Sequence, residues 1–443
     1  MTYEAPVKDM MFNIAHIAPN SDDLEMAVAV LEEFGRFCAE EVAPLCASGD
    51  REGSRCDQGQ VKTSAGFREA YAKYVPMGWQ GLVHPAEFCG QDLPRAVGAA
   101  AGEILNAANM SFALCPLLTD GAIEALRHFG SAQMMQTYLP KLVSGAWTGT
   151  MNLTEPQAGS DLALLRTGAE RQDDGPYKIT GTKIFITYGE HDLAGNIIHL
   201  VLARTPDAPK GIKGIRVFLV PKLFFSPDGT PGPCNAVRCQ SIEHKLGVRA
   251  SPTCVREFEG ATGFLIGTEN AGLEYMFTMM NAALFSVGNQ GVAVGEPAYQ
   301  QTPAYAEMRL QGRPTDGSVL GAVAIIQHPD VRRMQAHMRA TTEACCALSA
   351  FAAGWQDTPD VAMAEFLVPV VKGFCTEMSV RTASLGVQSH GGIGFIEETG
   401  AARHYRDARI FRFTKARPPF KPMTFWAAKP CAMAGPLRGA LLR

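Results

Sequence analysis

The sequence predicts an α+β fold in which two helical regions enclose a central β region. Apolar residues recur at helical spacing through the first third of the chain. Short runs rich in β-branched and aromatic residues fill the middle, and long helical patterns return after Gly267. A doubly wound α/β fold would instead alternate strands with helices. The 443 residues are enough for two or three domains with sizeable cores.

The first helical region opens with a helix-start signal at Asp22 and Glu25. Pro44 is expected to break the first helix near its end. The apolar stripe of this helix consists of Leu24, Val28, Leu31, Phe34, Cys38, Val42 and Leu45. Further helical patterns, separated by Gly and Pro turns, cover residues 66–74, 96–108 and 119–143.

The central region contains three strand-like runs. Turn signals such as Asp174-Gly175 separate them, which favours strands over short helices. The runs are YKITGTKIFIT at 177–187, NIIHLVLART at 196–205 and GIRVFLVPK at 214–222. The helices expected after them cover 271–312, 329–355 and 359–387.

Charge and composition exclude several classes of protein. The formal net charge is -4, and the last 33 residues carry seven Lys and Arg without any Asp or Glu. The other 33 Lys and Arg face 44 Asp and Glu, so no nucleic-acid partner is expected. No apolar run approaches the ~18 residues of a membrane span. The N-terminus lacks the basic start and long apolar core of a signal peptide.

Cysteine usage points to a reducing compartment. Twelve Cys are scattered without a CxxC pair, which favours a cytoplasmic location over disulfides or zinc. Cys345-Cys346 could be a redox pair or part of a buried helix face, and the second interpretation is favoured. The run HGGIG at 390–394 follows a helix rather than a strand, so a dinucleotide-binding fingerprint is not expected there.

The segment MNLTEPQAGSDL at 151–162 lies where the helical pattern gives way to strands. It places small and hydroxyl residues beside an acid, and by itself it could be a turn followed by a helix cap. It closely resembles the flavin-contacting segment of the acyl-CoA dehydrogenases. Four further matches follow in the order of that family: KITGTKIFIT, HKLGVRAS (244–251), AEMRLQGR (306–313) and QSHGGIGFIEETGAARHYRDARI (388–410). The resemblance covers nearly all of residues 1–410.

Within that family, three stretches resemble the methylthiopropionyl-CoA dehydrogenase-like branch. They are YEAPVKDMMFNI at 3–14, GTMNLTEPQAGSDL at 149–162 and QHPDVRRM at 327–334. The resemblance implies a helical N-terminal domain, a central β-barrel-like domain and a C-terminal helical bundle. The expected division is an N-terminal family-specific segment at 1–35, the helical domain at 36–152, the β domain at 153–268, an incomplete bundle at 269–410 and an aberrant tail at 411–443.

The resemblance also implies FAD, held by residues at matching positions. Leu153 and Thr154 would meet the flavin ring, Ser160 would lie near the phosphates, and Phe185 and Thr187 would line the isoalloxazine. Arg309 would pair with the pyrophosphate, while Gln388 and Gly392 would hold the outer half of the cofactor. In the family these last three serve the FAD of a neighbouring subunit, so a homodimer or homotetramer is expected. Taken singly, Thr154 could be a helix cap and Arg309 an exposed helix charge.

The family reaction removes an α-proton from an acyl-CoA thioester while the β-hydrogen leaves as hydride. Most members take their base from the Glu of a Tyr-Glu-Gly-Thr motif directly after the segment that matches RDARI. Here the chain reads FRFTKARPPF, without a glutamate. A minority of relatives carry the base at positions matching Ala283 and Leu284, and neither residue is a carboxylate. We therefore assign no catalytic residue.

The genetic code offers an explanation for the tail. The codon bases fixed by residues 413–430 permit, in a neighbouring frame, Tyr-Glu-Gly-Thr-Thr-Ala-Ile-Gln-Ala-Asn-Asp-Leu-Leu-Gly-Arg-Lys-Thr, which is the family continuation with its glutamate. The sequence thus predicts a one-base frameshift, natural or from sequencing, and a premature stop. The rival interpretation is a basic arm for acidic partners. The tail is expected to be irregular and weakly packed.

The expected function is FAD-dependent α,β-dehydrogenation of an acyl-CoA, with methylthiopropionyl-CoA as one candidate substrate. Electrons would pass to an electron-transfer flavoprotein, and the missing base would impair the chain as written. Two alternatives stay open: a non-catalytic flavin or acyl-CoA binding protein, and an acyl-CoA oxidase-like enzyme.

Overall fold

Helices, a β domain and further helices follow one another along the chain in the predicted order. The computed structural model describes residues 3–19, 24–226, 230–268, 272–314 and 316–413. The α+β class predicted from the sequence is confirmed.

Six helices make up the N-terminal part: α1 Val7–His16, α2 Leu24–Phe37, α3 Leu45–Glu52, α4 Phe67–Tyr74, α5 Arg95–Phe129 and α6 Ala132–Val143. A π-helical turn at Cys38–Val42 extends α2, and Pro44 separates it from α3 as expected. The predicted stripe buries Leu31 and Phe34, whereas Leu24 at the helix start is exposed.

Helix α5 differs from the expectation of two shorter helices. It runs for 35 residues through Pro116, with a kink at Asn109. The side chain of Asn109 offsets the broken backbone pattern: its Oδ1 accepts the Phe112 amide at 3.2 Å, and its Nδ2 donates to the Val42 carbonyl at 3.4 Å. The second predicted helix (119–143) divides at Gly130, because Ser131 caps α6 through the Met134 amide.

Nine of the described strands belong to the middle of the chain, and a small hairpin of β1 and β2 precedes them. The strands are β1 Arg55–Asp57, β2 Gln60–Lys62, β3 Thr148–Asn152, β4 Gly168–Arg171, β5 Tyr177–Thr187, β6 Ile197–Ala203, β7 Arg216–Pro221, β8 Leu223–Phe225, β9 Pro231–Cys234, β10 Val237–Ile242 and β11 Thr253–Leu265.

The main sheet has the order β3-β6-β7-β11-β5-β4, with β10 paired to β11. Among the strand pairs described for this sheet β3–β6 is the parallel one, and the isolated Gly168–Arg204 bridge is parallel as well. Strand β4, the last in this order, also contacts Arg204, the residue that follows β6. The Ala169 amide donates to the Arg204 carbonyl at 2.7 Å, and the Arg204 amide donates to the Thr167 carbonyl at 2.9 Å. The sheet therefore closes on itself in a barrel-like way around Ile179, Val201 and Phe218.

The C-terminal part consists of α7 Gly272–Met308, α8 Pro329–Trp355, α9 Val361–His390 and α10 Ala401–Ala408. Helices α7 and α9 run parallel and very close. A Cβ on Gly288 would lie 2.7 Å from Val371, and one on Gly291 would lie 2.8 Å from the Cys375 backbone. The glycines on α7 permit this close approach. Because the two helices are parallel, they end at the same side of the molecule.

The described end of the chain is part of the same core. Phe411, which the sequence placed at the start of the aberrant tail, is buried beside Val248 and Ala408. Arg412 pairs with Glu377 at 3.2 Å. The rest of the predicted irregular tail, 414–443, lies outside the described residues. Within the described ranges, no helix combines the length and apolarity that a membrane crossing requires.

Candidate functional site

The end of β3 and the middle of β5 bring the predicted flavin-ring residues together. The Ile184 amide donates to the Thr154 carbonyl at 2.9 Å, and Lys183 Nζ donates to the Leu153 carbonyl at 3.1 Å. Phe185 therefore lies directly beside Thr154, with Thr187 further along the same strand. No helix begins at Thr154 in the described structure: the next turn, Leu162–Leu164, is capped by Asp161.

Phe185 is presented outward by an irregularity in β5. The register with β11 shifts at this point, so that β5 carries one extra residue. Phe185 has φ +59° and is 59% exposed. A left-handed backbone costs a non-glycine residue about 1–2 kcal/mol, and such strain is concentrated at functional sites. The bulge thus turns an aromatic face towards solvent between the buried Lys183 and Ile186 of the same strand.

A buried ion pair stabilises the segment that carries Leu153 and Thr154. Lys183 Nζ contacts Glu155 Oε1 at 2.8 Å, and Glu155 also accepts the Arg166 and Thr167 amides at 2.7 and 3.0 Å. Burial alone would raise the pKa of Glu155, but Lys183 and the hydrogen bonds lower it to about 2. Burial lowers the pKa of Lys183 to about 8 against the opposing effect of Glu155. Both groups are charged at neutral pH, and together they fix the position of Leu153.

The residues at this corner fit a flat ring with polar edges. Asn152 is fully buried and bonds Thr150, which pairs with the buried His199, so its side chain faces the interior of the β domain. The exposed aromatic face of Phe185, next to Thr154 and on the same strand as Thr187, is what suits the isoalloxazine of FAD. Ser160 is exposed in the loop after Ala158, and its role at the phosphates stays a prediction.

Arg309, Gln388 and Gly392 form a second group. Each of them lies within four residues of Tyr305 or His390, whose rings stack at 4.5 Å where the parallel helices α7 and α9 end at the same side. All three are exposed, and a Cβ on Gly392 would meet no atom within 4 Å. Arg309 lies 26 residues beyond Ala283 on α7, or roughly 40 Å at 1.5 Å per residue.

Ala283 belongs to the hydrophobic cluster against which Leu153 packs, so the second group lies far along α7 from the first. The geometry is therefore compatible with the expectation that the second group serves a neighbouring subunit. The exposed-charge interpretation of Arg309 also stays open, since its described side-chain bond is a 3.4 Å contact with Gln311.

A cavity of about 150 Å³ lies between α5 and α7. Gly121 and Ala283 line it, and a Cβ on Gly121 would lie 3.3 Å from Met151 Cε, so the cavity adjoins the end of β3. One wall of the cavity, called its polar wall below, is formed by Gln80, His84, Arg95, Asp120 and Glu124.

The carboxylates of this wall are already paired. Asp120 Oδ1 accepts Gln80 Nε2 at 2.6 Å and lies 2.9 Å from His84 Nε2. Arg95 Nη2 donates to Glu124 Oε1 at 2.8 Å. Burial opposes the charge of Glu124, yet His128, Arg95 and Arg127 hold the pKa of this carboxyl well below its usual range. A carboxylate stabilised in this way is a weak base.

Sequence reasoning missed this polar wall. The available signal was the i, i+4 spacing of Asp120 and Glu124 on an otherwise apolar helix. Ala283, one of the alternative base positions, does line the cavity and brings no carboxylate. The assignment of no catalytic residue stays a prediction.

Comparison with known proteins identifies the class. Three domain models match in succession: the acyl-CoA dehydrogenase N-terminal domain at 25–146, the middle domain at 150–261 and the C-terminal domain at 270–415. The chain belongs to the acyl-CoA dehydrogenase family, whose members are FAD-dependent oxidoreductases acting on CH–CH bonds. The resemblance seen in the sequence is confirmed.

Two curated relatives and one solved structure show which members of this family the chain resembles. The chain is 57% identical over 430 residues to 3-methylmercaptopropionyl-CoA dehydrogenase of Ruegeria pomeroyi, covering 93% of this chain and 73% of that protein. It is 34% identical over 413 residues to a butyryl-CoA dehydrogenase of Syntrophomonas wolfei, covering 88% and 67%. In fold it matches butyryl-CoA dehydrogenase of Megasphaera elsdenii with a TM-score of 0.75 at 23% identity, covering 95% of this chain and 98% of the other.

Proposed function

We propose that this protein holds the FAD ring at Leu153, Thr154, Phe185 and Thr187 and acts on short acyl-CoA thioesters. The observation that carries the proposal is the hydrogen bond from the Ile184 amide to the Thr154 carbonyl, which sets an exposed aromatic ring beside the end of β3. The first candidate substrate is 3-methylmercaptopropionyl-CoA, because the relative of that name is 57% identical.

The cavity favours a short acyl group. A dry cavity of comparable volume holds a molecule the size of benzene, which is close to the bulk of a butyryl or methylthiopropionyl group. A long aliphatic chain would have to lie against His84, Asp120 and Gln80. Desolvating these polar groups without replacing their hydrogen bonds would cost binding energy.

Bound FAD would accept the hydride that leaves the β-carbon. The contribution of this chain is to orient the ring through Leu153 and Thr154, to cover one face with Phe185 and to keep this corner rigid through the Lys183–Glu155 pair. Removal of the α-proton needs a base within hydrogen-bond reach. Among the cavity-lining residues the structure describes, the carboxylates are Asp120 and Glu124, and both are paired. We therefore propose that the chain as written binds FAD and acyl-CoA but dehydrogenates slowly.

The remaining assignments rest on the family resemblance and composition. We propose a homodimer or homotetramer in which Arg309, Gln388 and Gly392 reach the FAD of a neighbouring subunit, which their exposed position supports. An electron-transfer flavoprotein would reoxidise the flavin. A cytoplasmic location agrees with the free thiols of all eleven described cysteines.

Flavin binding is the first test. FAD titrated into the apoprotein should bind roughly 2- to 13-fold more weakly to Phe185→Ala, because an aromatic contact contributes about 0.5–1.5 kcal/mol beyond its buried area. The matched control is Phe12→Ala, which removes a ring of similar exposure (60%) from α1. Equal affinities for both variants, or no FAD binding by the parent, would contradict the site.

Anaerobic addition of 3-methylmercaptopropionyl-CoA, butyryl-CoA or octanoyl-CoA tests the reaction. Slow loss of flavin absorbance with the two short substrates supports the proposal. A spectral shift without any reduction identifies a non-catalytic binding protein. Reduction followed by fast oxygen consumption once air is admitted identifies an oxidase.

A further inference from the structure

Asp120 is the member of the polar wall that a ligand in the cavity can reach. Both of its described hydrogen bonds end on one oxygen: Oδ1 accepts Gln80 Nε2 at 2.6 Å and lies 2.9 Å from His84 Nε2. Its side chain is 45% exposed, whereas Gln80 and His84 are buried. The other oxygen, Oδ2, therefore keeps its capacity to accept a hydrogen bond from a ligand.

The loop that carries His84 is closed tightly by its own backbone. The Asp92 amide donates to the His84 carbonyl at 3.0 Å. A Cβ on Gly90 would lie 1.9 Å from the same carbonyl oxygen, so the loop needs glycine at this position. Because the loop is held in this way, Gln80 and His84 fix the orientation of Asp120 before any ligand binds.

The same wall contains two further buried acceptors. Gln80 Oε1 and His84 Nδ1 have no hydrogen-bond partner among the described residues. The Gln80 amide nitrogen and His84 Nε2 both point to Asp120, so Gln80 is left with its oxygen and a neutral His84 with an unprotonated Nδ1. Glu124 Oε1 lies 3.8 Å from His84 Nδ1, which is too long for a hydrogen bond.

The cationic groups of the wall are engaged with Glu124. Arg95 Nη2 lies 2.8 Å from Glu124 Oε1, and Arg127 Nη1 lies 3.7 Å from the same oxygen. Asp120 is instead held by an amide and an imidazole. The buried Trp79 Nε1 is an unused donor beside the wall, but the unused acceptors described there outnumber it. The wall therefore favours a ligand group that donates a hydrogen bond.

We propose that Asp120 selects acyl-CoA thioesters whose distal end carries a hydrogen-bond donor, either a hydroxyl or an ammonium group. This inference rests on the proposed function, because it requires the acyl group to enter this cavity. The chain would pass Gly121 and Ala283, which line the cavity next to the end of β3, and its last atom would donate to Asp120 Oδ2. A methyl or methylthio end offers no donor, so it would desolvate Oδ2 without replacing the hydrogen bonds of this oxygen to water.

The test measures binding, so its result does not depend on turnover. Isothermal titration calorimetry in the presence of FAD compares 4-hydroxybutyryl-CoA, 4-aminobutyryl-CoA, pentanoyl-CoA and 3-methylmercaptopropionyl-CoA. These acyl groups have the same number of chain atoms beyond the carbonyl, and the first two end in a donor. We expect at least one donor-ended thioester to bind roughly 10-fold more tightly than pentanoyl-CoA, because hydrogen bonds to charged groups are the stronger ones. 3-Methylmercaptopropionyl-CoA should bind like pentanoyl-CoA.

Asp120→Asn examines the role of the carboxylate. Gln80 and His84 both donate to Oδ1, so the amide oxygen of the variant should stay there and its NH2 group should replace Oδ2. An ammonium group cannot accept from this NH2 group, so 4-aminobutyryl-CoA should lose any advantage over pentanoyl-CoA, and the advantage of 4-hydroxybutyryl-CoA should fall. The control Asp174→Asn makes the same exchange at an exposed turn and should keep the preference of the parent.

The possible results separate this inference from the function on which it rests. Equal affinities for all the thioesters, or tightest binding of pentanoyl-CoA or 3-methylmercaptopropionyl-CoA, would overturn the inference and leave the proposed acyl-CoA site intact. An undiminished advantage of the donor-ended thioesters in Asp120→Asn would also overturn it, since another residue would then recognise the distal group. If none of the thioesters binds, the proposed function fails together with the inference.

Discussion

Two buried glutamates show how neighbours decide the charge of a desolvated group. Glu155 keeps its charge because Lys183 and two backbone amides meet its oxygens. Glu103 is equally buried, but the Cys346 thiol at 3.3 Å is its described donor. Burial and the nearby Glu296 raise the pKa of Glu103 to about 8. At neutral pH one carboxyl is an anion and the other is largely neutral.

The neutral Glu103 predicts an unusual pH dependence of stability. Its folded-state pKa lies above the unfolded value, so its contribution is fully present below about pH 4.5 and is lost as pH rises through about 8. Glu103→Gln copies the neutral form at every pH. We expect the Tm of this variant to match the parent at pH 4.5 and to exceed it by a few degrees at pH 8. Thermal unfolding across this range makes the measurement.

The control for this effect is Glu87→Gln, which neutralises an exposed glutamate. Its Tm should follow the parent at all pH values. Parallel curves for Glu103→Gln and the parent would show that Glu103 is not a buried neutral group.

At the scale of elements, local patterns predicted strands better than helices. The run at 177–187 is strand β5 in the structure, because β-branched residues between turn signals leave few alternatives. The predicted helix end at Ala108 coincides with the kink at Asn109, but the expected gap up to Thr119 is wrong because residues 110–118 are helical. The Asn109 side chain reaches the Val42 carbonyl from 67 positions away, a contact that no window of sequence contains.

Prediction of the site from the sequence was limited in the same way. Motifs placed Leu153 and Phe185 in one corner because each motif is a local run. The bulge that exposes Phe185 depends on the register with β11, and the polar wall of the cavity combines residues 80–84 with α5. Register and cavity lining arise only when distant segments pack, so the sequence pattern did not predict them.

The glycines between α7 and α9 give a prediction for this pair of helices. Gly291→Ala should destabilise the protein by about 1–3 kcal/mol, since the new methyl would lie 2.8 Å from the Cys375 backbone, which cannot move without separating the helices. Gly373→Ala on α9 meets no atom within 4 Å and should be neutral or stabilising by up to about 1 kcal/mol. Urea denaturation compares the two.

Both changes add the same methyl to a helix, so helix propensity alone would make both stabilising. Equal shifts in the urea midpoint would therefore contradict the close parallel packing. If the packing also positions Arg309 and Gln388, Gly291→Ala should lose FAD more readily than Gly373→Ala.

At the scale of the whole molecule, the structure places the corner proposed for the flavin near a cavity whose described carboxylates, Asp120 and Glu124, are both paired. The predicted explanation, a shifted reading frame after the segment matching RDARI, concerns residues outside the described ranges. We predict that a chain with the family frame restored reduces its flavin with a short acyl-CoA at least ~100-fold faster than the chain as written, since a general base contributes about 10²–10⁴-fold. Stopped-flow absorbance under anaerobic conditions measures both rates.

Restoring the frame changes packing as well as chemistry, and one further variant separates the two. In the restored chain, the glutamate of the Tyr-Glu-Gly-Thr motif is replaced by glutamine, which keeps the continuation but removes the base. If the base is what the chain lacks, this variant should bind FAD fully and reduce it as slowly as the chain as written. If instead this variant reduces its flavin as fast as the restored chain, the chain as written is slow because of its packing and not because it lacks the base. Rapid flavin reduction by the chain as written would show that a described residue, Asp120 first, supplies the base, and Asp120→Asn would then abolish the reaction.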